Sequence, residues 1–153
     1  MNTTNHLRVA LIQSDLIWES PAANRKQFEE KINILDEDID LIILPEMFTT
    51  GFTMNASDVA ETMKGETVQW LQNLAQEKSI AITGSIVIGE NDNFYNRLLF
   101  VHPSGKIDFY DKKHTFTLAG EHEVFSAGTE RIVSEYKAWE ICPLICYDLL
   151  FPA

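Results

Sequence analysis

Two short apolar runs, Leu-Arg-Val-Ala-Leu-Ile at residues 7–12 and Leu-Ile-Ile-Leu at residues 41–44, bracket a segment of helical period, and this alternation constrains the fold more than any other feature. Both runs read as buried strands, the second stopped by Pro45. Between them Ser20-Pro21 marks a helix start, serine at the cap and proline at the first helical position, and Phe28, Ile32 and Leu35 follow at i, i+4 and i+7. A strand–helix–strand unit of this kind predicts parallel pairing. A second helix follows Gly65, with Val68, Leu71, Leu74 and Ala75 on one face, and leads into a strand at residues 80–88. After Gly89 the signals change to strands and turns. Residues 94–101 and 106–110, joined by His102-Pro103-Ser104-Gly105, read as a hairpin, and two more strands fit residues 131–136 and 139–145. With no repeat, low-complexity tract or linker, residues 1–153 form a single α/β domain of mixed pairing.

Composition narrows the function. The 153 residues are 45% hydrophobic, enough for one core, and 23 acidic against 12 basic side chains give a net charge of -11. That charge excludes nucleic acid and anionic membrane surfaces as expected partners. No apolar run reaches the roughly 18 residues of a membrane span, and residues 1–6 are polar, so a cytoplasmic protein is expected. The two cysteines, Cys142 and Cys146, lie four positions apart. In an extended strand their Cα atoms stand about 13 Å apart, beyond the roughly 7 Å a disulfide tolerates, so both read as free thiols. The histidines at 6, 102, 114 and 122 are scattered, and neither a metal nor a cofactor is expected.

Three strand ends carry side chains capable of chemistry, which is where α/β sheets place ligands. Glu46, in Pro45-Glu46-Met47-Phe48, is a carboxylate among apolar neighbours and reads as either a general base or a solvated loop acid. Lys112, in Tyr110-Asp111-Lys112-Lys113-His114, suits an oxyanion if buried and a charged turn if not. Cys146 follows an apolar run; a nucleophilic thiolate there needs an electropositive, reachable position, with His114 or His122 as a conceivable base. Cys142 reads as packing inside the strand.

Taken in order, Leu44-Pro45-Glu46-Met47-Phe48 with Gly51-Phe52, then Tyr110-Asp111-Lys112-Lys113-His114, then Ile145-Cys146-Tyr147-Asp148 resemble the nitrilase superfamily of carbon-nitrogen hydrolases. The separations of 66 and 34 residues are similar to that family's, as are Gly84-Ser85, Tyr95-Asn96 and Pro103-Ser104-Gly105. The resemblance implies an αββα sandwich and a cofactor-free thiol amidohydrolase acting on a small amide, with Glu46 as general base, Lys112 stabilising the tetrahedral intermediate and Cys146 as nucleophile. It implies a second glutamate after the lysine, Glu121 or else Glu123, pocket-lining roles for Phe116 and Tyr147, and assembly as a homodimer. Tyr-Asp-Lys-x-His and Ala-Gly-Glu-His-Glu-Val-Phe are most similar to the omega-amidase branch, which deamidates short dicarboxylic monoamides such as 2-oxoglutaramate.

Departures from that pattern matter as well. Leu150 stands where the branch has arginine, and Thr115 where it has leucine. The chain ends seven residues after Cys146, whereas the family's sandwich continues, so the expectation is a domain incomplete at its C-terminus. The alternative is an inactive relative or interaction domain that retains the motif residues. A flavodoxin-like phosphate-binding domain is set aside, because Gln13-Ser14-Asp15-Leu16 offers no glycine-rich turn.

Overall fold

A computed structural model describes residues 6–36 and 38–151; residues 1–5, most of the polar start, lie outside it, as do residue 37 and the last two. Strand β1 (Val9–Leu11), helix α1 (Pro21–Asn33) and strand β2 (Leu41–Ile43) form the first unit, and β1 pairs parallel to β2. A short α2 (Ala56–Val59) precedes α3 (Glu66–Lys78) and the long β3 (Ala81–Glu90), which lies parallel to β2. Strands β4 (Asn93–Val101) and β5 (Ile107–Asp111) then run antiparallel, completing a five-stranded sheet in the order β1-β2-β3-β4-β5. Helix α4 (Glu121–Val124) and a separate hairpin, β6 (Ser134–Tyr136) with β7 (Trp139–Ile141), lead to a 3-10 turn over Cys146–Leu150.

Helices α1 and α3 cover one face of the sheet. Phe28 and Ile32 from α1, and Val68, Leu71 and Ala75 from α3, pack against Ile42, Ile82, Ile86, Leu99 and Val101. Each is a residue that the 3.6- and 2-residue periods bring to a common side, and burying such side chains is the main favourable contribution to folding. The opposite face carries Leu41, Ala81, Leu98, Phe100 and Tyr110, packed against Tyr136 of the hairpin and Ile145. Helices, five-stranded sheet and two-stranded sheet thus stack as successive layers.

Gly84 permits a close approach that positions the site. A Cβ there would stand 2.9 Å from both Leu44 Cβ and Phe48 Cδ1, so the loop after β2 can lie on β3 only because the side chain is missing.

Three expectations are corrected. Strand β1 is not buried on both faces: Val9 and Leu11 are exposed, because β1 is the sheet's edge and its side away from the helices is uncovered. Residues 139–145 are not one strand; β7 ends at Ile141. Pro143 has no N–H to donate and disfavours helical geometry before it, which breaks the ladder. Cys142 is therefore exposed just beyond the strand instead of packed inside it, although both thiols are free as expected. Helix α2 escaped the sequence reading because four residues carry no period.

Candidate active site

Glu46 is set by the loop after β2. Pro45 ends the strand, and the chain is then held to β3 by Leu44 N–H to Thr83 O at 2.8 Å, Met47 N–H to Ser85 Oγ at 2.9 Å and Phe48 N–H to Ser85 O at 3.1 Å. Met47 takes a left-handed φ of +46°, a costly conformation for a side-chain-bearing residue that those bonds enforce. Two strands away, Lys112 directly follows β5, with its N–H on Asn96 O at 3.0 Å.

The Lys112 side chain is almost wholly buried, and its ammonium bridges two carboxylates: Glu46 Oε1 at 2.7 Å and Glu121 Oε2 at 2.9 Å. Asn96 makes a second bridge, its Nδ2 donating to Glu46 Oε1 at 2.8 Å and to Glu121 Oε1 at 3.1 Å. Phe116 N–H donates to Glu121 Oε2 at 2.5 Å, and the Phe52 ring lies 5.5 Å from the ammonium. One cation thus stands between two anions in a dry setting. Burial acts to strip the proton from Lys112, but the hydrogen bonds to Glu46 and Glu121 outweigh it and hold the ammonium above the usual lysine range.

Cys146 opens the 3-10 turn with a φ of +44° and is accessible. Burial of part of the thiol and the negative charge of Glu46 push it above the ordinary thiol range; Lys112 pulls the other way and loses, and a hydrogen bond with Glu46 and the charge of Glu121 add to the rise. The expected electropositive setting is therefore corrected, since the two glutamates outweigh the single lysine. The resting group is a neutral thiol beside a carboxylate, an arrangement that suits proton removal during attack rather than a stored thiolate.

The structure brings Glu46, Lys112, Glu121 and Cys146 to one place. Glu123 is exposed, away from the lysine. Phe116 and Tyr147 meet edge to face with centroids 5.1 Å apart, Phe116 anchored to Glu121 through its N–H and Tyr147 next to the thiol. A cavity of about 100 Å³ runs beside the thiol, lined by Glu46, Thr83, Ser85, Leu98 and Cys146. His114 pairs with Asp148, and His122 is exposed. Asn96 is the residue whose role the sequence reading missed. Its signal was a polar residue on the inward side of a strand whose next inward positions, Leu98 and Phe100, are apolar.

The family model for carbon-nitrogen hydrolases matches residues 8–153. The chain belongs to this family. It is 42% identical over 146 residues to the omega-amidase YafV of Yersinia enterocolitica, covering 95% of this chain and 56% of that one. Against the 2-oxoglutaramate amidase of Bacillus subtilis it is 32% identical, covering 94% of this chain and 57% of that one. The crystal structure of XC1258 from Xanthomonas campestris, a CN-hydrolase superfamily protein, superposes with a TM-score of 0.92 at 43% identity, covering 95% of this chain and 55% of that one. The fold is the α/β sandwich of the nitrilase superfamily, of which the described residues form one helix layer and two sheets, and the chain spans about half the length of the relatives it matches.

Proposed function

We propose that this carbon-nitrogen hydrolase domain supplies the catalytic residues of a thiol amidohydrolase that converts a short dicarboxylic monoamide to the acid and ammonia. The observation that carries the reading is the Glu46–Lys112–Glu121 bridge beside Cys146. Glu46 takes the thiol proton as sulfur attacks the amide carbon. Lys112 and the Tyr147 N–H stabilise the oxyanion. Glu46 then returns the proton to the leaving nitrogen, the C–N bond breaks, and ammonia departs from a thioester. Water, giving a proton to Glu46, attacks that thioester; the C–S bond breaks, the acid forms and the thiol recovers its proton. Glu121 keeps Lys112 charged and aimed throughout.

The relatives' names, omega-amidase and 2-oxoglutaramate amidase, support a small dicarboxylic monoamide as substrate. Phe116 and Tyr147 touch each other, with Tyr147 next to the thiol in sequence; neither lines the cavity beside Cys146, so their place in the reading is a second wall on the far side of the thiol. Among the described residues no helix is long and apolar enough to cross a membrane. The net charge of -11 supports a reading without a nucleic-acid partner, and action in the cytoplasm as a homodimer belongs to the same proposal on the family resemblance. The test is ammonia release from 2-oxoglutaramate and a panel of short amides by the purified chain beside Cys146→Ala. Release that depends on Cys146 supports the reading, and none from a folded chain overturns it.

A further inference from the structure

Asp148, two residues past the thiol, is a fully buried carboxylate that the reaction above does not use. It accepts four hydrogen bonds. Oδ2 takes the Tyr110 hydroxyl at 2.8 Å and Ile145 N–H at 3.0 Å, while Oδ1 takes His114 N–H at 2.8 Å and pairs with the His114 ring Nδ1 at 2.9 Å. The Tyr110 hydroxyl itself accepts Lys113 N–H at 3.1 Å. The placement of these donors is the telling feature. Tyr110 lies two residues before Lys112 and His114 two after it, while Ile145 and Asp148 bracket Cys146. One carboxylate thus ties the segment carrying the lysine to the turn carrying the thiol.

The turn has need of such a tie. Cys146 is held at a φ of +44°, and among the described residues the backbone–backbone bonds of the turn, Asp148 N–H to Ile145 O and Phe151 N–H to Asp148 O, stay within it. At its far end Phe151 stacks flat on the His114 ring, centroids 3.9 Å apart and planes 4° from parallel. Burial, and next the hydrogen bond to Asp148, push the Tyr110 hydroxyl well above the usual phenol range, which keeps it a donor to the clamp.

We infer that Asp148 is a positioning residue for the nucleophile, with His114 as its partner: it holds Cys146 over Glu46 and Lys112 by clamping residues 145–148 to residues 110–114. The inference rests on Cys146 being the nucleophile. It also explains two motif positions, the histidine of Lys-x-His and the aspartate of Cys-Tyr-Asp, that the reaction leaves idle.

The test uses Asp148→Asn, His114→Asn and His114→Leu in the full chain, reading kcat and KM for 2-oxoglutaramate and the pH midpoint for alkylation of Cys146 by iodoacetamide. An amide presents one acceptor atom where the carboxylate has two, so Asp148→Asn strands a pair of donors. Expected is a folded variant with kcat lowered about 100-fold, KM within about threefold, and an alkylation midpoint moved down toward the ordinary thiol range as sulfur leaves Glu46. His114→Asn keeps an N–H near the ring Nδ1 position and restores most of the kcat that His114→Leu loses. A folded Asp148→Asn with kcat and midpoint unchanged overturns the clamp. Should that variant fail to fold, equal kcat and equal midpoints in the two His114 variants overturn it. If the wild-type chain releases no ammonia beyond Cys146→Ala, the functional reading fails on its own account, and the midpoint alone decides the clamp.

Discussion

The two faces of the five-stranded sheet are built on different principles. Where α1 and α3 cover it, one face is apolar, with Ile42, Ile82, Ile86 and Leu99 buried by shape and volume; further along β4 the same face buries a charge, Arg97, paired with Asp111 and Glu90. The opposite face, toward β5, buries Asn96 and Lys112, and with Glu121 and Asp148 nearby these side chains are held by named partners, Asn96 through its Nδ2. An apolar face tolerates a lost contact at the cost of a cavity. A face with buried charge does not tolerate a lost partner, because the remaining charge keeps its desolvation cost. Both faces contribute to the core, and on the proposed reaction only the second carries the chemistry.

The largest effect that would sharpen this contrast is Cys146→Ala. On the proposed reaction it lowers kcat by about a million-fold, the order seen when a nucleophile is removed, while thermal unfolding stays close to wild type because the thiol is accessible and packs little. Ammonia release and a melting curve on the same sample check both halves. A large loss of stability would show that the two faces are not separable.

Lys112→Met comes next, and here both readouts fall together. It leaves Glu46 and Glu121 facing each other without their shared cation, which costs about 3–5 kcal/mol of stability. On the proposed reaction it also removes an oxyanion donor, worth roughly 100- to 1,000-fold in kcat. Denaturant unfolding and steady-state kinetics measure the pair, and stability unchanged within error would mean that the buried bridge is not a charged one.

Much of this division was legible in the sequence, and unequally. The helix-side face is written in spacing: Val68, Leu71, Leu74 and Ala75 in one helix, and Phe28 and Ile32 in the other, can meet only along one stripe. The chemical face has no period of its own. Glu46 and Lys112 are readable because each follows a strand in a familiar local sequence, Cys146 by its local sequence alone, since the strand before it ends at Ile141, and Glu121 by its place after the lysine. What joins them was not legible. The pairings Asn96–Glu46 and Asp148–His114 span 50 and 34 residues, and no local pattern encodes a contact between residues so far apart. Nor was the sign of the field at Cys146, since counting a nearby lysine predicts a positive site and only the geometry shows two carboxylates closer to deciding it.

Leu71→Ala probes the helix-side face by itself. The side chain is fully buried, so truncation costs about 2–5 kcal/mol, while kcat at a temperature where the variant is folded stays within about twofold. Chemical denaturation and kinetics at low temperature check it. A kcat that fell with stability would break the comparison, since it would mean the helix face tunes the site through the sheet.

The smallest predicted effect is the pH dependence of stability, and it too separates the faces. Lys112, Tyr110 and Cys146 all sit on the chemical face, and each has its proton affinity raised by folding. The folded chain therefore holds protons that the unfolded chain has already released as pH rises through the ordinary thiol, phenol and amine ranges. Stability is full below those ranges and falls from about pH 9 upward. On the acid side the sign reverses. Burial acts to raise Asp108, but hydrogen bonds from His102 and Lys106 outweigh it and hold the carboxyl below the usual range; its contribution is present at neutral pH and lost as acid protonates it. Melting temperature measured from pH 7 to 11 tests the alkaline limb. Tyr110→Phe, which removes one of the three groups, flattens the fall above pH 9 while lowering the plateau. Leu71→Ala shifts the whole curve down without changing its shape, because no titrating group is touched; a change of slope in that variant would show the two faces sharing more than a backbone.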